Sequence, residues 1–308
     1  MNREIKIILT GATGFLGSNF LSHLLSKNYT VHILKRRSSN LARIKKFTDS
    51  VFAYDIDEMN DSELCSLFEG AHSVFHMATC FGRNGESLTD INSANVTLPM
   101  RLLEAAQKSN VGTFFNIDTV LPQYLNAYSL SKSHFAEWGR LVSLQKTIRF
   151  VNVKIDQIYG PGDDSSKFTA YVIQNCLKNV PALNLTAGLQ KREFIYIDDA
   201  IEAIAIIMKS LELESCKDEF QFEFEVASDL VAATIREFVE LAISITKSHT
   251  KPHFGALPYR NNELMMNVSK GESLRQLGWI PKIDLATGIR KIMQASVHSY
   301  ILEESNLE

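Results

Sequence analysis

The chain has 308 residues, 45% of them hydrophobic, with a net charge of −3 and a pI near 6.3. That length supports one large domain or two fused ones and excludes a small scaffold stapled by disulfides or metal. The charge balance excludes a uniform positive field for a nucleic-acid backbone or an anionic membrane, although a local basic patch remains open.

Cys65, Cys80, Cys176 and Cys216 stand far apart without paired metal spacing, so free thiols in a reducing compartment are expected, with no disulfide and no metal. Residues 1–8 run straight into a strand pattern without the order of a signal peptide, and no apolar stretch reaches about 18 residues. The expectation is a soluble, cytoplasmic protein.

In chain order, residues 5–9 predict a first strand and 18–26 a first helix. Between them runs Thr10-Gly11-Ala12-Thr13-Gly14-Phe15-Leu16-Gly17. Gly11 allows a sharp turn, Gly14 lets backbone N–H groups approach a pyrophosphate, and Gly17 lets the helix pack near the strand. The helix N-terminus adds positive potential, so Gly11, Thr13, Gly14, Phe15, Leu16 and Gly17 are cofactor-binding candidates. The competing reading, a turn that merely needs glycine, is opposed by the strand and helix on either side. A second strand, 30–34, ends in Lys35-Arg36-Arg37-Ser38-Ser39, where an NAD enzyme places an acid on the adenosine ribose. Three cations and two hydroxyls suit a 2'-phosphate, which favours NADP(H) and leaves NAD possible. A solvated basic loop is the bland alternative.

Strands follow at 50–55, 73–76, 113–117 and 149–155, with helices at 61–68, 96–109 and 130–144. This alternation predicts an α/β protein with a Rossmann-type doubly wound parallel sheet. Past Tyr159-Gly160-Pro161-Gly162 the pattern is mixed, with helices predicted at 167–177, 197–210, 231–245 and 270–277. The expected domains are 1–160, binding NADP, and 161–308, a smaller mixed α/β lobe for substrate, some segments of which return to the first domain.

Tyr128 and Lys132 are four apart at the start of a predicted helix, hence on one face. A phenol titrates near about 10, and a neighbouring ammonium lowers that value, so Tyr128 can exchange a proton with a carbonyl or hydroxyl oxygen. Lys132 would also hold the nicotinamide ribose hydroxyls. Thr119, at the end of the fifth strand, is the candidate donor to the substrate oxygen. Asp118 is its rival, with a capping or turn role as the competing reading.

These features together resemble the extended short-chain dehydrogenase/reductase family, the NAD-dependent epimerases, dehydratases and reductases of nucleotide sugars. The spacing G-x-x-G-x-x-G, Tyr159-Gly160-Pro161-Gly162-Asp163, Arg192-Glu193-Phe194-Ile195-Tyr196-Ile197-Asp198-Asp199 and Leu277-Gly278-Trp279-Ile280-Pro281 all resemble its motifs. The resemblance implies that Asp55 and Ile56 lie near adenine, and that Met77, Ala78 and Thr79 line the cofactor path. It implies further that Arg192 and Arg260 contact the nucleotide diphosphate. Arg83 joins them as a substrate-binding candidate, Asn95 matches a structural asparagine, and Asp198 and Asp199 are read as structural. Sugar dehydratases follow the catalytic threonine with Asp-Glu; Val120-Leu121 stand here, and neither exchanges a proton. Cys80 and His134 do not match the epimerase-reductase positions and are read as structural. Residues 80–87 and 188–192 are similar to those of CDP-4-keto-3,6-dideoxyglucose reductases, which make CDP-abequose and CDP-paratose for O-antigen. The function implied is NADPH-dependent reduction of the C4 ketone of a nucleotide-linked deoxysugar by a homodimer. The alternatives are a 4-epimerase with tightly bound NAD and a non-catalytic NADP-sensing protein.

Overall fold

The computed structural model describes residues 5–213, 222–227, 232–266 and 269–305; Cys216 and Val231 lie outside them. The chain divides into two compact units, 1–155 with 207–225, and 156–206 with 226–308.

In the first unit, strands β1 (Lys6–Thr10), β2 (Thr30–Lys35), β3 (Phe52–Asp55), β4 (Ser73–His76), β5 (Thr113–Thr119) and β6 (Arg149–Ile155) pair in parallel in the order 3-2-1-4-5-6. A further strand, Glu223–Val226, adds beside β6. The central strands β1, β4 and β5 are buried on both faces, as expected where helices cover a parallel sheet, while the edge strand β3 is more exposed. Helices α1 (Phe15–Ser26), α2 (Asp61–Phe68), α3 (Leu88–Asn92), α4 (Leu98–Lys108) and α5 (Ala127–Leu144) connect them. On one face Phe75 stacks on Phe115 at 4.2 Å and meets the tilted ring of Phe20 at 4.7 Å. On the other, Phe135 of α5 meets Phe114 and Phe150 edge-on at 5.9 and 5.6 Å. The strand order reverses between β1 and β4, and open α/β sheets bind ligands at the carboxyl ends of strands beside such a reversal.

The helix expected over 96–109 starts earlier, as α3, and passes through a π-helical turn at Ser93–Thr97 into α4. Pro99 supplies the reason: it has no N–H for an α-helical bond to Asn95, and its ring would collide with that carbonyl unless the turn widens. Helix α5 begins at Ala127 because Asn126 caps it, accepting from Ser129 N at 2.9 Å while Ser129 Oγ accepts from Asn126 N. Such caps contribute about 1 kcal/mol. Tyr128 therefore stands in the first turn. Strand β3 is shorter than 50–55 because Ala42–Ser50 forms a 3-10 helix.

Among its described residues the second unit builds three two-stranded sheets. Phe194–Tyr196 pairs with Gln157–Tyr159, Ala233–Thr234 with Lys191–Arg192, and Lys251–Phe254 with Ala182–Leu185. Its helices are Phe168–Leu177, the start of Ile197–Leu213, Ile235–Thr246, Glu272–Gln276 and Leu285–Ser305. Phe238 packs on Phe168 and Phe194, and buried Trp279 donates Nε1–H to Asp199 O at 3.2 Å. Asp199 accepts Lys282 N and Ile283 N at 3.0 Å each, which makes it an anchor for the segment after Trp279. The helix expected over 270–277 is only five residues long, ended by Gly278 at φ +81°.

Candidate active site

The glycine turn is built by close approach. Gly11 has φ +72°, and a Cβ there would lie 2.5 Å from Ala78 N and 2.6 Å from Met77 C. A Cβ on Gly17 would come within 2.1 Å of Gly11 O. The turn thus requires glycine at both positions, which packs α1 against the exit of β4 and brings Met77, Ala78 and Thr79 beside it. Gly14 caps α1 with extended backbone and no side-chain hydrogen bond, and the first turn, Phe15 and Leu16 included, carries no acid. Gly14 N closes the turn on Gly11 O at 2.9 Å, and the N–H groups at the start of α1, with that of Thr13, make a cradle that fits the pyrophosphate of a dinucleotide. Thr10 Oγ1 accepts Met77 N and Ala78 N at 3.2 Å each and lies 2.9 Å from His76 Nδ1.

The basic turn after β2 differs from its sequence reading. Register pairs Lys35 with Asp55, and the two side chains form an ion pair. Arg37 N donates to Asp57 Oδ2 at 2.9 Å, and its guanidinium meets Glu58 at 2.5 Å. The acid missing from the end of β2 is therefore supplied by the end of β3 and the turn at Ile56–Glu58. Arg36 is exposed and enters no ion pair among the described residues.

Thr119 comes up to Tyr128, and Lys132 follows Tyr128 by one turn of α5. The Thr119 hydroxyl, which accepts Leu121 N at 3.3 Å, lies near enough to the Tyr128 phenol to act on it, Phe81 packs on the Tyr128 ring at 5.0 Å, and the Arg83 guanidinium lies over the Phe81 ring at 5.0 Å. Burial and the charge of Asp118 push the phenol well above its ordinary value, against the lowering effects of Thr119 and Arg83. This corrects the expectation of a lowered phenol: burial outweighs the local donors, and the Lys132 ammonium donates instead to Asn116 Oδ1 at 3.3 Å. Lys132 is 1% exposed, and burial holds its pKa below the usual lysine value, partly offset by Asp118.

Asp118 is neither a cap nor a turn residue. It is a buried strand carboxylate that accepts Thr119 N at 2.7 Å and Asn152 Nδ2 at 2.8 Å. Asn95 is fully buried and ties the end of β4 to α5: it accepts Cys80 N at 2.7 Å and donates to Cys80 O and to Ser131 Oγ at 2.8 and 2.9 Å. Two asparagines that the sequence reading passed over, Asn116 and Asn152, are register partners and both fully buried. Their signal was available as an amide inside each of two apolar strand runs, where a polar group must find a partner.

In the second unit, Arg192 donates through Nη1 to Lys191 O and Leu264 O at 2.8 and 2.7 Å, and through Nη2 to Glu263 at 2.9 Å. Arg260 is exposed and opens the turn that carries Glu263, whose N–H donates to Arg260 O at 3.1 Å. Among the described residues no His/Cys/Asp/Glu cluster suits a metal, and no helix is long and apolar enough to cross a membrane. Cys65, Cys80 and Cys176 are free thiols.

The chain is 30% identical over 302 residues to the CDP-abequose synthase of Salmonella typhimurium, covering 94% of this chain and 97% of that protein. In fold it is similar to the UDP-glucose 4-epimerase of Thermotoga maritima solved with UDP-glucose, with TM-score 0.82, 17% identity and coverage of 96% and 100%. A second solved structure, the UDP-glucuronic acid 4-epimerase of Bacillus cereus with UDP-glucuronic acid and NAD, aligns at TM-score 0.81 and 21% identity over 94% and 99% of the two chains. Residues 7–221, from the first strand through the cradle, Tyr128 and Lys132, match one family description, and the chain belongs to the NAD dependent epimerase/dehydratase family.

Proposed function

We propose that this chain is an NADPH-dependent reductase of the C4 ketone of a nucleotide-linked deoxysugar. The observation that carries the reading is Tyr128, a half-buried phenol beside Thr119 whose pKa is raised by desolvation and by the charge of Asp118, so that it holds its proton. A phenol pushed upward keeps its proton through the neutral range and is a weaker acid for it, so it stands in the protonation state that reduction of a carbonyl requires and relies on the charge of Lys132 to stabilise the phenolate as the proton leaves.

A bound NADPH supplies the hydride. Tyr128 Oη delivers the proton to the carbonyl oxygen, Thr119 Oγ1 donates a hydrogen bond to that oxygen as charge develops, and Lys132 adds positive charge beside the phenol. The cradle from Gly11 to Gly17 holds the pyrophosphate, Lys132 the nicotinamide ribose, and Asp55 with Ile56 the adenine side. Met77, Ala78 and Thr79 line the path between. Arg36 is the guanidinium free to take a 2'-phosphate, with Lys35 and Arg37 exchanging their carboxylate partners for it. Arg83 is assigned to the substrate, and Arg192 with Arg260 to its diphosphate. The name of the Salmonella relative supports a CDP-linked sugar.

The second reading, a 4-epimerase with bound NAD, draws on the ion pairs that occupy Lys35 and Arg37 and on the NAD in the Bacillus structure. We place the protein in the cytoplasm, in line with its free thiols, and read it as a homodimer, since α5 leaves Trp138, Leu141 and Leu144 exposed. The test is oxidation of NADPH and NADH by the purified protein with a panel of nucleotide-linked 4-keto sugars, products read by NMR. One NADPH consumed per sugar supports the reductase; equimolar NAD released on denaturation, with no net consumption, replaces it by the epimerase.

A further inference from the structure

Lys132 is held by a chain of side chains whose orientation has one solution. The carboxylates of Asp118 and Glu223 accept only, and both face Asn152 Nδ2, at 2.8 and 3.2 Å. Lys154 Nζ fixes Glu223 from the far side at 2.7 Å. If the Asn152 amide turned over, its oxygen would meet two anions, so Nδ2 must point at them. Its Oδ1 is thereby left to accept Asn116 Nδ2 at 2.8 Å, and Asn116 must present its own oxygen to Lys132 Nζ at 3.3 Å. The order runs carboxylate, amide, amide, ammonium, across β5 and β6 into α5.

The strand faces explain why the chain lies there. With side chains alternating along a strand, Phe114, Asn116 and Asp118 share one face of β5, and Phe150, Asn152 and Lys154 oppose them on β6. The residues change from aromatic to amide to charged toward the carboxyl end of the strands. Along α5, Phe135 covers the aromatic pair and Lys132, one turn earlier, meets the amide. On β4, His76 aligns with Asn116. It is fully buried with its pKa held well below the usual histidine value, first by burial and then by Lys132, so it adds no second positive charge. Asp118 from β5 is the anion that bears on Lys132, and Arg83 the cation that bears on Tyr128.

We propose that Asn116, oriented by Asn152, is the positioning residue that fixes the Lys132 ammonium on the face of α5 it shares with Tyr128. The proposal rests on the reading of Lys132 as partner of Tyr128, and it specifies that the acceptor side of Asn116, not its bulk, does the positioning. Asn116→Ala removes the acceptor, whereas Asn116→Asp keeps one and adds negative charge.

The direct test follows Lys132 by NMR in cofactor-free protein labelled at the lysine ε-carbon, its signal assigned by loss in Lys132→Met. In Asn116→Ala the titration midpoint of Lys132 falls by about one pH unit, and in Asn116→Asp it rises. The alkaline limb of turnover moves in the same two directions. A residue that served packing alone would lower Tm and leave the midpoint in place, and an unmoved midpoint in the folded variants overturns the proposal. Should Asn116→Ala not fold, Asn116→Asp and Asn152→Ala, the latter freeing Asn116 to turn over, decide it by the same midpoint. Full turnover in Lys132→Met would remove the catalytic reading of Lys132 while leaving a shifted midpoint, and with it the anchoring role, intact.

Discussion

The first unit holds positive charge in two contrasting ways. Lys132 is buried, and its place is set by amides and carboxylates on two neighbouring strands. Lys35, Arg36 and Arg37 lie at the mouth of β2, the two arginines exposed, and Lys35 and Arg37 are paired with acids from the end of β3 and the turn after it. Burying an ammonium costs several kcal/mol unless partners compensate it, so the first arrangement tolerates little change. Ion pairs at the surface contribute about 0–1 kcal/mol, so the exposed Arg37–Glu58 pair yields readily to a better anion, while the Lys35–Asp55 pair is more covered. On the proposed function, charge at Lys132 serves the chemistry and charge at the turn serves cofactor binding.

The contrast breaks if the two regions respond alike to substitution. Lys132→Met is expected to lower kcat by about 10²–10⁴-fold, whereas Lys35→Ala leaves kcat within a fewfold, both read by steady-state NADPH oxidation. Arg36→Ala should weaken NADPH binding about tenfold, roughly 1.4 kcal/mol, and leave NADH binding unchanged. Titration calorimetry with both cofactors checks this, and equal losses for the two would place Arg36 away from the 2'-phosphate.

Asp118→Asn sharpens the buried side through pH. The carboxylate raises the pKa of Lys132, so without it the ammonium loses its proton at lower pH. It also raises the phenol, so Tyr128 too gives up its proton at lower pH. Reduction needs both groups protonated, and the alkaline limb of kcat therefore moves to lower pH, by about one unit; a limb that stays or moves upward contradicts the electrostatics. The smallest effect belongs to Arg37→Ala, whose exposed pair with Glu58 should change unfolding free energy by less than about 1 kcal/mol, less still at high salt.

Much of the candidate site was legible in the sequence because its parts are local. The glycine turn spans seven residues, and the step from Tyr128 to Lys132 is one helical turn, so period alone places them. What stayed hidden depends on strand register. Asp55 faces Lys35 only because β2 and β3 pair in parallel at that offset, and a reading along the chain saw a basic loop without acids. Asn116 and Asn152 are 36 residues apart and meet only when β5 and β6 are aligned. The strand Glu223–Val226 is four residues long and far from the others in sequence, too short for a pattern to mark it. The expected fall in the Tyr128 pKa failed for a related reason: burial, which outweighs local donors here, belongs to the folded unit and not to a motif.

The central claim, that Tyr128 delivers the proton in a reduction, is tested most directly by Tyr128→Phe. With the 4-keto nucleotide sugar that the unaltered protein reduces fastest, NADPH oxidation by the variant should fall by at least about 10²-fold while the NADPH dissociation constant stays within about twofold. Undiminished turnover in the folded variant would contradict the account.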